Sequence, residues 1–128
     1  MAVALLDTHA WAWSLTDVGS LSARARDVMA TAAALYVSPV SFFEIAQKVR
    51  LGKWPTMTPV VNRLDEIARD QGALIAPLSA EICLDAGLRD WPHRDPFDRL
   101  LAVTCERLDA ALVTRDPVFA RMGIPCVW

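Results

Sequence analysis

Five carboxylates in this chain stand where they could do chemistry: Asp7, Glu44, Asp95, Asp98 and Asp116. Asp7 directly follows the apolar run Val3 to Leu6. Asp116 closes the stretch Val113-Thr114-Arg115-Asp116. Glu44 lies downstream of Leu35-Tyr36-Val37, and Asp95 and Asp98 come just before the apolar stretch Leu100 to Val103. An ionised carboxylate set against apolar residues is costly when nothing pairs with it. Several gathered at one place repel and raise one another's pKa unless a cation stands among them. Hard oxygen donors, with water completing the shell, suit Mg²⁺ or Mn²⁺. The chemistry these residues point to is divalent-metal binding with Asp7 as one ligand, provided the fold brings the acids together.

Each acid also has a structural role open to it. Ser41-Phe42-Phe43-Glu44 has the form of a capping box, with the glutamate reaching back to the helix start. Asp95-Pro96 and Asp116-Pro117 both read as an N-cap followed by proline in the first helical position. Asp98 would favour the helix dipole from the first turn. Asp7 could cap a helix beginning at Thr8, although its place beside an apolar strand makes it the hardest of the five to dismiss.

The elements that must position these acids follow from the apolar pattern. Val3 to Leu6, Leu35 to Val37, Ala73 to Pro77, Ala111 to Thr114 and Ile124 to Val127 are short apolar runs and read as strands. Between them, helices are expected over Thr8 to Leu15, Leu21 to Ala34, Ser41 to Leu51, Pro59 to Gln71 with Thr58 as N-cap, Ala80 to Asp90, Pro96 to about Leu108, and Pro117 to Met122. Gly52 sits where a helix C-terminus is expected. Strands that are solid apolar runs, alternating with helices, predict an α/β fold with a parallel central sheet covered by helices on both faces. In such sheets ligands bind beyond the carboxyl ends of the strands, which is where Asp7 and Asp116 stand.

The bulk properties agree with one domain over residues 1–128. Apolar residues make up 54% of the 128, enough for a real core. The net charge of −2 gives no overall basic signal for nucleic acid, but acids gathered around a metal can hide a local basic groove. Cys83, Cys105 and Cys126 lie far apart. An odd number without a Cys-x-x-Cys pair argues against a disulfide framework or zinc site and reads as small buried residues in a reducing cytoplasm. The N-terminal apolar run is short and interrupted by Asp7, so neither a signal peptide nor a membrane span is expected.

Taken together, Leu5-Leu6-Asp7-Thr8-His9-Ala10, Ser41-Phe42-Phe43-Glu44-Ile45-Ala46 with Lys48 and Gly52-Lys53, His93-Arg94-Asp95-Pro96-Phe97-Asp98-Arg99-Leu100-Leu101 and Val113-Thr114-Arg115-Asp116 resemble the PIN-domain ribonucleases, most closely the VapC-type toxins of toxin–antitoxin pairs. Four strings in order over essentially the whole chain make the resemblance specific. It implies a PIN-like three-layer sandwich with four acids around one or two Mg²⁺ or Mn²⁺ ions. Asp7, Glu44, Asp98 and Asp116 match those acids as catalytic and metal-binding residues. Asp95 looks like an additional acid of this branch, and Thr114 like the hydroxyl residue beside the metal. The implied reaction is endonucleolytic hydrolysis of single-stranded RNA by in-line attack of water activated at the metal. A ribose 2′-hydroxyl would not serve as nucleophile, so no catalytic histidine pair is needed. The resemblance also implies a homodimer, a cognate antitoxin and a cytoplasmic setting.

Around the acids, Arg94, Arg99 and Arg115 are candidates for RNA phosphate contacts, with solvated surface or carboxylate pairing as the plainer alternative. Lys48, Arg50 and Lys53 form a weaker cluster, and His93 reads mainly as a loop histidine. Trp11 and Trp13 cannot share a helix face. One is expected in the core, while the other would join Trp54 and Trp91 in an apolar surface open to a partner. Two other carboxylate classes fit poorly. A haloacid-dehalogenase-type phosphatase needs an aspartate where His9 stands. A receiver domain needs an aspartate after the middle strand, where Pro77-Leu78-Ser79 stands, and a late lysine, yet no lysine follows Lys53. A catalytically weak PIN-like binding module is the remaining alternative, and the presence of all four acids argues against it.

Overall fold

The structure is a computed structural model that describes residues 2–128. Five strands, β1 (Val3–Leu6), β2 (Ala34–Val37), β3 (Leu74–Ile75), β4 (Ala111–Val113) and β5 (Cys126–Val127), form one sheet in the order β3-β2-β1-β4-β5. All pairings are parallel, with Leu5 opposite Tyr36 on one side and Leu112 on the other. The helices are α1 (Thr8–Thr16), α2 (Ala23–Thr31), α3 (Pro39–Arg50), α4 (Leu64–Asp70), α5 (Ala80–Leu88), α6 (Pro96–Leu108) and α7 (Val118–Arg121).

Polar side chains start most of the longer helices. Asp7, Ser22, Ser38, Ser79 and Asp95 each accept a backbone N–H from the first turn of α1, α2, α3, α5 and α6 respectively. Pro39 and Pro96 occupy first-turn positions that have no need of an N–H. Gly52 follows the end of α3 at φ 72°, a left-handed conformation that suits glycine.

Alternation along the central strand divides the core. Ala4 and Leu6 pack with Trp11, Ala25, Ile45, Leu64 and Ala68 of α1 to α4. Leu5 faces the opposite way, into Leu101, Ala102 and Cys105 of α6, Phe119 of α7 and Met122 just after it. Because successive strand side chains point to opposite faces, a strand with both faces covered is apolar throughout, and this gives the three layers expected from the sequence. Helix α5 lies against α6 through Ile82, Ala86 and Val103.

Several boundaries differ from the sequence reading. The second helix begins only at Ala23 and ends at Thr31, because Ala34 pairs with Val3 in the sheet. No continuous helix covers 59–71. Thr58 donates its N–H to Pro55, a single tight turn spans Val61–Arg63, and α4 starts at Leu64 without a side-chain cap. Buried Met57 anchors this segment in the core. The edge strands contract to Leu74–Ile75 and Cys126–Val127, and both residues of β3 are exposed. Short edges limit the unpaired backbone offered to other chains. Of the cysteines only Cys105 is buried; Cys83 and Cys126 are exposed. Among the described residues no helix is long and apolar enough to cross a membrane.

Candidate metal centre

From β1 the chain runs outward to β2 and β3, then returns to the other side of β1 to form β4 and β5. The strand order therefore reverses between β1 and β4, and a crevice opens at their carboxyl ends. Asp7 and Thr114 are the residues that leave these two strands. The Asp7 N–H donates to Val113 at 3.1 Å, which carries the ladder one residue past β1. Asp7 Oδ1 accepts the Ala10 N–H at 2.7 Å, and the Thr114 hydroxyl donates to Oδ2 in a short hydrogen bond. The same hydroxyl oxygen accepts the Asp116 N–H at 3.1 Å, tying the fourth acid to the first. Asp116 Oδ1 accepts the Val118 N–H at 3.0 Å, but α7 begins only at Val118 with Pro117 in the capping position. Asp116 is therefore not the N-cap expected from its Asp-Pro sequence; it lines the cleft.

Glu44 has no capping role. Helix α3 starts earlier, at Ser38-Pro39, where the Ser38 hydroxyl accepts the Val40 N–H. This places Ser41 inside the helix, where its hydroxyl lies 2.9 Å from that of Thr8 and ties α3 to α1. Glu44, one turn on, is buried and accepts a hydrogen bond from Lys48 Nζ at 2.8 Å. That i,i+4 pair is visible in the sequence.

The third wall is the start of α6. Asp95 caps it, accepting the N–H groups of Phe97 at 2.9 Å and Asp98 at 3.4 Å. Asp98 projects from the first turn, and its Oδ2 lies 2.7 Å from His93 Nε2. Donor atoms of His93, Asp95 and Asp98 all fall within 4.8 Å of one another. From the sequence His93 reads only as a loop histidine; the structure sets it against Asp98.

Asp7, Glu44, Asp95, Asp98 and Asp116 line one cleft of about 570 Å³, together with His9, Trp13, Lys48 and Arg115. Burial raises the pKa of Asp7, with the Asp116 charge adding to the rise and the bonds from Thr114 and Ala10 opposing it. Burial likewise pushes Asp98 up to about 6, helped by Asp95 and Glu44 and opposed by His93. Among the described residues no lysine or arginine forms an ion pair with Asp7, Asp98 or Asp116. Partly desolvated carboxylates that lack a protein cation, in a donor set dominated by hard oxygens, fit a divalent ion of the Mg²⁺ or Mn²⁺ type.

The three candidate RNA-binding arginines separate. Arg115 lines the cleft, its guanidinium 4.9 Å from the Trp13 ring centre. Arg94 is exposed on the loop before α6 and lies outside the cleft lining. The Arg99 guanidinium donates to the carbonyls of Ala86, Arg89, Trp91 and His93, so its donors are engaged in holding the chain that leads into α6. The tryptophans also divide. Trp11 is the core residue, with its Nε1 donating to Gln71. Trp13 and Trp54 flank His9, Trp13 as part of the cleft lining, whereas Trp91 sits elsewhere, under Arg89 and Arg99. It does not join the surface expected for it.

None of the curated proteins compared matches this sequence. Among solved structures, one similar fold is in the crystal structure of VapBC2 from Rickettsia felis bound to a DNA fragment from its promoter. Its TM-score is 0.65 at 16% identity, covering 98% of this chain and 97% of that one. Another is VapC20 of Mycobacterium tuberculosis, described as a sarcin–ricin loop cleaving toxin, with a TM-score of 0.62 at 17% identity and coverage of 94% and 95%. At such identities the likeness is one of fold, and it agrees with the parallel sheet and the crevice between β1 and β4. The sequence itself matches the PIN domain family model over residues 4–125, and with that match the chain belongs to the PIN-domain family.

Proposed function

We propose that this protein is a metal-dependent endoribonuclease that cuts single-stranded RNA and acts as the toxin of a toxin–antitoxin pair. The observation that carries this reading is the convergence of Asp7, Glu44, Asp98 and Asp116 on one cleft at the strand-order reversal of a PIN domain. The two structural relatives, a VapBC complex and a sarcin–ricin loop cleaving toxin, support it further.

In this reading Asp7, Asp98 and Asp116 hold the ion, with Glu44 as a further ligand. A bound Mg²⁺ or Mn²⁺ supplies an activated water and offsets the charge that develops on the phosphate. The protein's own residues do the rest. Thr114 orients Asp7 by donating to Oδ2 and fixes Asp116 by accepting its N–H. Lys48 neutralises Glu44 at the cleft wall. A carboxylate left free of the ion could accept the proton of the attacking water. Arg115 is the best-placed arginine for a phosphate, and Arg94 a more distant one. Asp95 acts chiefly by starting α6 and so setting the position of Asp98.

A homodimer and an antitoxin partner belong to the same proposal. Exposed Leu84 and Leu88 on α5, and Phe43 on α3, supply apolar surface for such contacts. The direct test is cleavage of RNA by the purified protein. Chelation with EDTA should stop it, added Mg²⁺ or Mn²⁺ should restore it, and Asp7→Asn should abolish it while the far-UV circular dichroism stays unchanged. Chelator-resistant cleavage, or an active Asp7→Asn protein, would overturn the reading.

A further inference from the structure

Beside the acids, the cleft is also lined by rings and cations. His9, on the first turn of α1, is exposed and lies between two indoles. Its ring centre is 5.7 Å from that of Trp13 and 4.9 Å from that of Trp54. Each indole carries a cation: Lys48 Nζ is 5.3 Å from the Trp54 centre, and the Arg115 guanidinium is 4.9 Å from the Trp13 centre. His9, Trp13, Lys48 and Arg115 line the same cleft as Asp7 and Asp116.

Core packing accounts for part of this arrangement. Trp13, Trp54 and Trp128 each rest against the core, where Trp11 is fully buried, touches Phe42 and has its indole N–H satisfied by Gln71. Packing does not explain the exposed His9 set between the two indoles. Trp13 and Trp54 are only half-buried, and the ring between them is polar and open to solvent. Trp13 is backed by the edge of Trp128 at 5.8 Å, which limits its freedom to turn. Aromatic faces interleaved with cations are the means by which proteins hold unpaired nucleotides: bases stack on the rings while the cations take the phosphates. The acids of the cleft would repel a phosphate backbone. Lys48 offsets one of them, Glu44, at 2.8 Å. Arg115, in no ion pair among the described residues, provides the positive charge that RNA needs in order to approach.

We propose that His9, Trp13 and Trp54 form a platform on which a base of the RNA stacks, with Arg115 holding a flanking phosphate, so that the cleft selects unpaired nucleotides. The proposal rests on the ribonuclease reading above. Every base has a π-face, so the platform distinguishes unpaired from paired nucleotides rather than one base from another. A base within a duplex already has its faces covered by its neighbours.

Binding of two labelled strands of equal length and charge, oligo(U) and its abasic ribose-phosphate counterpart, tests this in EDTA by fluorescence anisotropy. The wild type should bind oligo(U) tighter by about tenfold or more. His9→Ala and Trp54→Leu should each erase most of that difference while leaving affinity for the abasic strand unchanged, and His9→Tyr should keep it. His9 is exposed, so its variants should melt like the wild type. A wild type that binds both strands equally, or ring variants that retain the difference, would overturn the platform. Ring variants that bind RNA normally but change the sedimentation of the protein would assign the rings to a protein contact and also overturn it. RNA cleavage by the wild type with Mg²⁺ is measured in parallel: cleavage without base-dependent binding defeats the platform alone, while neither cleavage nor binding defeats the ribonuclease reading itself.

Discussion

Asp98 illustrates what a buried carboxylate, here a proposed metal ligand, costs a protein at the level of one side chain. Burial holds its pKa at about 6, against an ordinary value of 3.8. A carboxyl that binds its proton more tightly folded than unfolded contributes stability below about pH 4, and that contribution is lost as the pH rises through about 6. At neutral pH the ionised group therefore works against the metal-free fold. Asp98→Asn, which keeps an oxygen for His93, should be more stable than the parent at pH 7 in EDTA by on the order of 1–3 kcal/mol. That advantage should vanish near pH 4, as denaturant unfolding at the two pH values would reveal. A variant less stable at pH 7 would mean that existing contacts already compensate the charge. The burial of Asp7 acts in the same direction. The sequence identified both acids, but it did not reveal that His93 lies 2.7 Å from Asp98, since a loop places no constraint that pattern reading can use.

At the scale of elements, the start of a helix decides what its side chains can do. Ser41 and Glu44 have capping-box spacing, yet Ser38-Pro39 starts the helix one turn sooner and leaves Glu44 free to face the cleft. Helix α6 depends on Arg99 in a comparable way. Its guanidinium gathers carbonyls from the end of α5 and from the loop that carries His93. Hydrogen bonds from a charged donor are worth about 1.5–3 kcal/mol each, and buried acceptors left without a donor add to the loss. Arg99→Ala should therefore destabilise the protein by about 2–4 kcal/mol, while the salt dependence of RNA binding stays as in the wild type. Thermal melts and a salt titration check the two halves. An unchanged melting temperature with a shallower salt slope would return Arg99 to the phosphate contacts first expected of it.

For the molecule as a whole, the acids and the rings beside them share one cleft on a sheet whose other features are ordinary for an α/β protein. Its consequence in a cell follows from the proposed activity. Inducing this chain alone in bacteria should slow growth within the first generations, and the Asp7→Asn chain, expressed at the same level, should not. Equal growth of the two cultures, with both proteins accumulating, would count against the toxin role and leave the fold assignment untouched.

Most of the sheet and several helix starts were legible in the sequence because their causes are local. A run such as Val3 to Leu6 is apolar at every position because both faces are covered, and Asp7, Ser79 and Asp95 cap helices through atoms two or three residues away. The segment 59–71 is helical only from Leu64, and buried Met57, just before it, ties the preceding chain into the core, a contact no local pattern shows. Tertiary structure decided the rest. Only the order β3-β2-β1-β4-β5 brings Thr114 against Asp7 across 107 positions of sequence. Only that packing sends Trp11 into the core, Trp13 to the cleft and Trp91 beneath Arg89 and Arg99. Asp7 could be recognised early because its cost arises from its own strand. Its companions, the rings beside the cleft and the role of Arg99 depend on which elements lie side by side, and no local pattern encodes that.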